Sequence, residues 1–396
     1  MPTSSDASQV ALAVLAQAQA LYTAGDADGM LPLAARIPAD GRLPGGITLS
    51  PAFMTAVAGM LHNLSFACRD AGRYDTALAC SGEACRLQPT NGTFRLHRMY
   101  LLLGRRAYRE AWDRADWQRT LRDAHPALWD GVSRVDGLLV NNSNGLGDFI
   151  QFLRFIPEAA RRAGRIYVET PPGTLALFRQ TPLPDGVTLI DSRNGIAFEA
   201  TCEMVCLPFA MGLGAEDVAV PGAYLQPPAE RTGPWRDVVA AHGDGVPVGL
   251  VWAGWGEDNP RSLPFAALRP LLEIPGLRVF GLQNHKDKTA LYGQALPDHF
   301  SDLGVYDTRN MAAIMRAMRL VIAPDCGLAH LAAALGVETW LCLARVGDWR
   351  WGEDGARGDW YPNVRMFRQN QTGDRGTDPW APVIAGIAER LRSLTA

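Results

Sequence analysis

From about residue 137 the chain alternates between two textures, and that alternation limits the fold more than any other feature. The short apolar runs "GLLVNN", "RIYVET", "GVTLID" and "CEMVCL" read as buried strands, and the first is followed by a helix at about 148–163. A Pro-rich polar stretch, "LQPPAERTGPW", interrupts at 225–235, and then the pattern restarts. "VPVGLVWAG", "LRVFGLQ", "LVIAPD" and "ETWLCLA" read as strands, with "PFAALRPLLE", "MAAIMRAMR" and "CGLAHLAAALG" as the helices between them. Strands that alternate with helices imply parallel sheets, because the return from the end of one strand to the start of the next needs a crossover. The chain therefore holds two α/β units with a hinge between them, closed by a last amphipathic helix, "WAPVIAGIAERLRSL".

The first 130 residues differ. They are rich in Ala, Leu and Arg at helical spacing, and no strand-like run stands out. In "NLSFACRDAGRYDTALACSGEACRLQP", Gly72, Ala77, Ala84 and Pro89 fall at the spacing of the tetratricopeptide repeat, whose period is about 34 residues. Moving Ala77 forward by one period lands on Ala111, and Ser81 lands on Ala115. The small residues let two helices of one repeat cross closely. The second copy is degenerate, with Arg106 where the turn glycine belongs. A plain helical bundle is the alternative.

At 396 residues the chain is too long for one ordinary core, so two or three domains are expected. A net charge of −3 gives no basic bias toward nucleic acid or an anionic membrane. Seven scattered cysteines, without close CxxC pairs, argue against a disulfide framework or a structural zinc site. The start lacks a basic segment ahead of its apolar part, and no uncharged run reaches the roughly 18 residues of a membrane span. The cytoplasm is the default expectation.

Two strand–loop–helix corners stand out. In "NSNGLGD", Gly145 and Gly147 allow a tight turn and close approach, and Asp148 sits in the first helical turn. A capping carboxylate stabilises a helix by about 1 kcal/mol, which alone would account for Asp148. In "IAPDCGLAHLAAALG", Asp325 ends a strand, Gly327 opens a helix and His330 follows one turn later. Free N–H groups at 326–328 would point at an anion. Asp325 as a mere cap and His330 as a core histidine are equally open. Arg261 and Ser262, in the loop "WAGWGEDNPRS", could reach a diphosphate, since arginine matches phosphate oxygens bidentately, and a solvated loop arginine is the alternative. Farther on, Trp349, Trp351 and Trp360 interleave with Arg350, Arg357 and Arg365, either to stack on a base or sugar or to form a small core under a long loop.

Together, "GLGDFIQFLRFIP", "VGLVWAG" followed by "RS", "PDCGLAHLAAALG", and "DWRW" followed by "WYPNVRMFRQ" resemble the GT-B glycosyltransferases of the ADP-heptose:lipopolysaccharide heptosyltransferase type, glycosyltransferase family 9. The resemblance covers about residues 135–395 and is closer still to bacterial proteins that fuse tetratricopeptide repeats to such a domain. It implies an α/β GT-B fold, two Rossmann-like domains facing a cleft, preceded by an all-α helical domain of TPR type. The implied divisions are 1–130 helical, 131–230 acceptor side and 231–396 nucleotide-sugar side. It implies an inverting, metal-independent transfer of a sugar from a nucleotide-sugar, which is substrate rather than cofactor, to a hydroxyl acceptor. Asp148 would be the general base. Arg261, Ser262, Asp325, Cys326, Gly327, Leu328 and His330 would hold the donor, and Asn144, Gly145, Gly147 and Gln151 the acceptor-side loop. Trp349 and Trp351 would stack on base or sugar. The family's hydroxyl residue after Asp325 is here Cys326, which removes one good donor. The helical front would recruit a protein or peptide acceptor. The competing expectation is a non-catalytic scaffold with a degenerate sugar-nucleotide domain. A sugar-nucleotide epimerase and a dinucleotide dehydrogenase fit less well, the latter because "SNGLGD" lacks a third glycine.

Overall fold

The computed structural model describes residues 4–43, 47–118, 121, 125, 127–219, 222–254, 256, 258–283, 291, 295–303, 307–369 and 378–395. The chain divides into two compact units, Met1–Trp112 and Asp113–Ala396.

The first unit is a succession of helix pairs. Its helices are α1 (Ser4–Thr23), α2 (Ala27–Ala35), α3 (Pro51–Asp70), α4 (Tyr74–Leu87), α5 (Gly92–Gly104) and the single turn α6 (Tyr108–Ala111). Ser50 starts α3 by accepting from the Phe53 N–H at 3.1 Å, with Pro51 in the first turn where its missing N–H costs nothing. Ala77 and Ala84 are fully buried on α4, and the short side chains let α3 and α4 pack closely.

Three of the helix-to-helix turns share one backbone design. Gly72 lies at φ +78, its N–H donates to Arg69 C=O (2.9 Å) and the Arg73 N–H donates to Cys68 C=O (2.8 Å). Thirty-four residues on, Arg106 lies at φ +60 with the same two bonds, to Leu103 C=O and from Ala107 to Leu102 C=O, both 2.9 Å. Gly25, at φ +67, repeats the pair between α1 and α2. The backbone thus repeats the turn 34 residues on although an arginine, not a glycine, stands there. Arg106 alone among the described non-glycine residues has positive φ. A side chain in the left-handed region costs roughly 1–2 kcal/mol, partly offset by glycine's greater unfolded-state entropy. Arg106→Gly should therefore raise the unit's stability by about 0.5–1 kcal/mol. A denaturant midpoint that stays put or falls would show that the turn is not strained.

The second unit carries two all-parallel sheets. The first contains β1 (Gly137–Asn141), β2 (Arg165–Glu169), β3 (Val187–Ile190) and β4 (Ala200–Glu203), in the order β3-β2-β1-β4. The second contains β5 (Val246–Leu250), β6 (Leu277–Gly281), β7 (Phe300–Asp302), β8 (Leu320–Pro324), β9 (Glu338–Leu343) and β10 (Val364–Arg368), in the order β10-β9-β8-β5-β6-β7. Counted within the sheet, the latter is the 3-2-1-4-5-6 order of the doubly wound Rossmann fold, and the former is its first four strands. β8 is buried at every residue, as a central parallel strand covered on both faces must be. The closing helix (Ala381–Thr395) buries Ile384, Ile387 and Leu391 in the core of the second sheet. The architecture is the expected α/β pair of Rossmann-like halves after a helical region. Among the described residues no helix is long and apolar enough to cross a membrane.

Two local readings change. Residues 113–130 lie in the second unit, because Trp117 and Trp129 are buried there and Trp129 N–H donates to Thr201 C=O at 2.8 Å. The Pro-rich stretch is mostly helix, Ala229–Ala240, rather than a loose hinge. Its Trp235 Nε1 and Arg231 Nη1 both donate to Asn310 Oδ1, at 2.9 and 3.1 Å, so tertiary bonds hold a helix that Pro234 alone would break.

Candidate active site

In doubly wound sheets ligands sit beyond the carboxyl ends of the strands, where the strand order reverses. Those points lie between β1 and β4 in one sheet and between β5 and β8 in the other, and both glycine corners grow from them. α7 (Leu146–Phe152) follows the loop after β1, and a second helix, Gly327–Ala334, follows β8.

The two corners touch. A Cβ on Gly147 would stand 3.1 Å from His330 Cδ2 and 3.2 Å from Gly327 Cα, and one on Gly327 would stand 3.3 Å from the Gly147 nitrogen. These glycines bring two helix ends into contact, rather than admitting a ligand between them. The cleft, about 700 Å³, opens beside that contact. Gly145, Gly147 and Asp148 line it from the first half, and Arg261, Asp325, Cys326, Gly327, Leu328, His330, Asp348 and Arg350 from the second.

The first glycine loop is built on Glu203, at the end of β4. Its carboxylate accepts from the Asn141 side chain, the Ser143 N–H (2.6 Å), the Ser143 hydroxyl (2.8 Å) and Asn144 Nδ2 (3.1 Å). The chain then turns into α7, where the Gly145 N–H donates to Asp148 Oδ2 at 3.2 Å. Asn144 therefore serves the loop and is not part of the cleft wall. Arg350 crosses from the other half. Its Nη2 donates to Asp148 Oδ1 at 2.5 Å, its Nε to Gln151 Oε1 at 2.5 Å and its Nη1 to Asp348 Oδ1 at 2.8 Å. The guanidinium also lies over Trp349, 4.3 Å from the ring centroid. Asp148 and Gln151 are three apart on α7 and so present to one partner. Gln151 is fully buried, and its role is to bind Arg350, not to contact an acceptor.

On the opposite wall Arg261 Nη1 meets Asp325 Oδ2 at 3.3 Å, one long contact that leaves the guanidinium partly exposed. Burial, then the nearby Asp348 charge, push the Asp325 carboxyl up, against Arg261 and Arg350. Cys326 is buried, makes no capping hydrogen bond, and burial raises its thiol to about 11, so it is a neutral thiol. Helix geometry leaves the first N–H groups of Gly327–Ala334 without carbonyl partners. Burial, then Arg350 and Arg154, hold the His330 imidazole well below its ordinary range, so it is a neutral donor and not a cation. Tyr224 donates its hydroxyl to Ile150 C=O at 2.8 Å, which leaves the Tyr361 proton for His330 Nδ1 at 2.9 Å. With Tyr361 as the donor in that bond, the imidazole proton sits on Nε2.

Three expectations need correction. Ser262 is buried, and its hydroxyl accepts from the Gly254 N–H (3.2 Å) and donates to Gly256 C=O (2.7 Å), closing its own loop. Trp351 is 1% exposed against His330 and Tyr361, with no face left for a base or sugar. Trp349 packs edge-on to Phe152 and Trp360 and lies under Arg350. Trp255 and Glu257 of the arginine loop lie outside the described residues. Arg350, Asp348 and Glu203 were not picked out as site residues from the sequence, although Arg350 lay inside a noted Trp/Arg run. Among the described residues no three His, Cys, Asp or Glu side chains group as a metal site.

No family model matches the chain, and no curated protein does. Solved structures do match. Escherichia coli ADP-heptose LPS heptosyltransferase II is 13% identical over 65% of this chain and 99% of its own, at a TM-score of 0.46. A glycosyl transferase family 9 protein from Veillonella parvula is 11% identical over 59% of this chain and 85% of its own, at 0.44. An O-GlcNAc transferase from Thermobaculum terrenum is 15% identical over 99% of this chain and 93% of its own, at 0.29. At such identities these are likenesses of fold, and the fold assignment stands on the strand order above.

The arginine loop and the β8 corner are packed without slack: a Cβ on Gly254 would fall 2.6 Å from Cys326 Cβ. Gly254→Ala should cost about 1–3 kcal/mol, as overpacking does. Cys326→Gly in the same chain should recover part of the lost melting temperature. A Gly254→Ala protein that melts with the parent would contradict this packing.

Proposed function

We propose that the protein is an inverting glycosyltransferase that moves a sugar from a nucleoside diphosphate donor to a hydroxyl acceptor. One observation carries the reading: a carboxylate on one wall, Asp148, shares a single cleft with a helix N-terminus and a partly exposed arginine, Arg261, on the other. The acceptor hydroxyl approaches Asp148, whose Oδ2 holds only the long bond from Gly145. The O–H bond breaks as the new O–C bond forms at the anomeric carbon, and the proton passes to Asp148. The anomeric C–O bond breaks at the same centre, and its electron pair leaves with the nucleoside diphosphate. One displacement inverts the anomeric carbon. The amides of Gly327 and Leu328, Arg261 and the Nε2–H of His330 receive the leaving charge, and the step is written without a metal.

The helical unit, read as a TPR-type array, selects the acceptor, which is then a protein or peptide segment. Cys326 supports a second reading, a sugar-nucleotide-binding scaffold without turnover, because a buried neutral thiol stands where a hydroxyl donor would strengthen the phosphate site.

A thermal-shift screen against UDP, GDP, ADP, CMP and TDP should raise the melting temperature with one base, since a ligand that binds only the native state stabilises it. Asp148→Asn should keep that shift while transfer falls at least about a hundredfold. Normal turnover in the variant would remove Asp148 from the mechanism, and nucleotide binding with no turnover in the parent would favour the scaffold. Removal of residues 1–112, the first compact unit, should spare nucleotide binding and weaken use of a macromolecular acceptor. Equal use of that acceptor would take selection away from the helices.

A further inference from the structure

Arg350 reaches across the cleft with two hydrogen bonds, to Asp148 and to Gln151. Its side chain is 14% exposed, half the 28% of Asp148, and three of its nitrogens end on Asp148, Gln151 and Asp348. Two of those partners sit on α7 and the third two residues before it, so the cation joins the catalytic wall to its own loop. Resting on the transferase reading above, we propose that Arg350 is a positioning residue that acts through Asp148, setting the carboxylate for proton transfer and releasing positive charge into the cleft as that transfer occurs.

The geometry gives each oxygen a separate task. Oδ1 is held by Arg350 at 2.5 Å, a charge-assisted bond, whereas Oδ2 holds a 3.2 Å bond to Gly145 and keeps a lone pair for the acceptor. The rotamer is fixed at both ends, by Arg350 across the cleft and by the capping bond within α7. Before reaction the charges of Arg350 and Asp148 oppose each other. As the acceptor's proton moves onto Oδ2, Asp148 becomes neutral, and of the hydrogen-bond partners named above only Asp348 still carries a negative charge against Arg350. The cation loses one counterion while negative charge grows on the departing diphosphate in the same cleft. An interaction stronger in the transition state than before it accelerates the chemical step rather than binding. No atom beyond those of the displacement is needed, because the proton stays on Asp148 and Arg350 remains protonated throughout.

This separates Arg350 from a structural clamp and from a direct donor ligand. A clamp would be needed whatever residue 148 is, and a donor ligand would show in nucleotide affinity. The experiment is a double-mutant cycle on the full chain, with nucleoside diphosphate release from a panel of UDP-, GDP- and ADP-sugars as the assay and the thermal shift by the free nucleotides as the binding readout. Arg350→Gln should lower kcat about 10- to 100-fold with donor KM changed less than about threefold. In the Asp148→Asn background the same change should alter the residual rate less than about threefold, since the residue it works through is already disabled. Arg350→Lys should recover part of the loss and carries the same cycle if the glutamine variant fails to fold. Equal losses in both backgrounds, or a loss confined to KM, overturn the proposal while leaving the transferase reading in place. A parent protein that turns over none of the nucleotide-sugars overturns both.

Discussion

Arg154 is the buried charge about which the two α/β halves are arranged. It leaves the first half just after α7 and donates to Gln151 C=O (2.8 Å), Val218 C=O (2.8 Å) and, in the second half, Trp360 C=O (2.6 Å). Its guanidinium lies over the rings of Tyr224, Trp360 and Tyr361, the last at 4.6 Å. A guanidinium cannot shed its proton, so its burial is tolerable only while those carbonyls and ring faces surround it. Separating the halves would strip the Trp360 carbonyl and the Tyr361 ring from a charge already out of water. The same cluster carries Tyr361 to His330, so the tautomer of the cleft histidine depends on the junction staying assembled.

This dependence links stability to chemistry through a short chain of contacts. Tyr361 touches Arg154 on one side and His330 on the other; His330 packs beneath Gly147; Gly147 precedes Asp148, which Arg350 holds. Three of these contacts cross between the halves, Arg154 with Tyr361, His330 with Gly147 and Asp148 with Arg350, and the bond from Tyr361 to His330 joins them within the second half. The cleft is therefore shaped by the joint between the halves rather than by either sheet alone.

Much of the architecture was readable because it is written in periodicity. Continuous apolar runs such as 320–324 belong to strands covered on both faces, and the spacing of 34 between Gly72 and Arg106 joins two turns of like geometry. Motif residues with local signatures, Asp148 after a glycine loop and His330 one turn into a helix, do line one cleft. What stayed hidden was long-range pairing. Arg350 finds Asp148 across 202 positions, and nothing in a run of Trp and Arg reveals which carboxylate a given arginine will meet. Buried roles were hidden for the same reason: Ser262, Gln151 and Trp351 look like ligand groups until their neighbours are known. The helix at 229–240 was masked by proline signals that a tertiary bond to Asn310 overrode.

The meeting of Gly147 and Gly327 also constrains how such a molecule can gape. The main chain of Gly327 lies against that of Gly147 there, with the His330 ring beside it. Relative movement of the two sheets must either keep that spot as a fulcrum, swinging like a jaw, or lose it in one step. A sideways slide would drive the His330 ring into the α7 backbone.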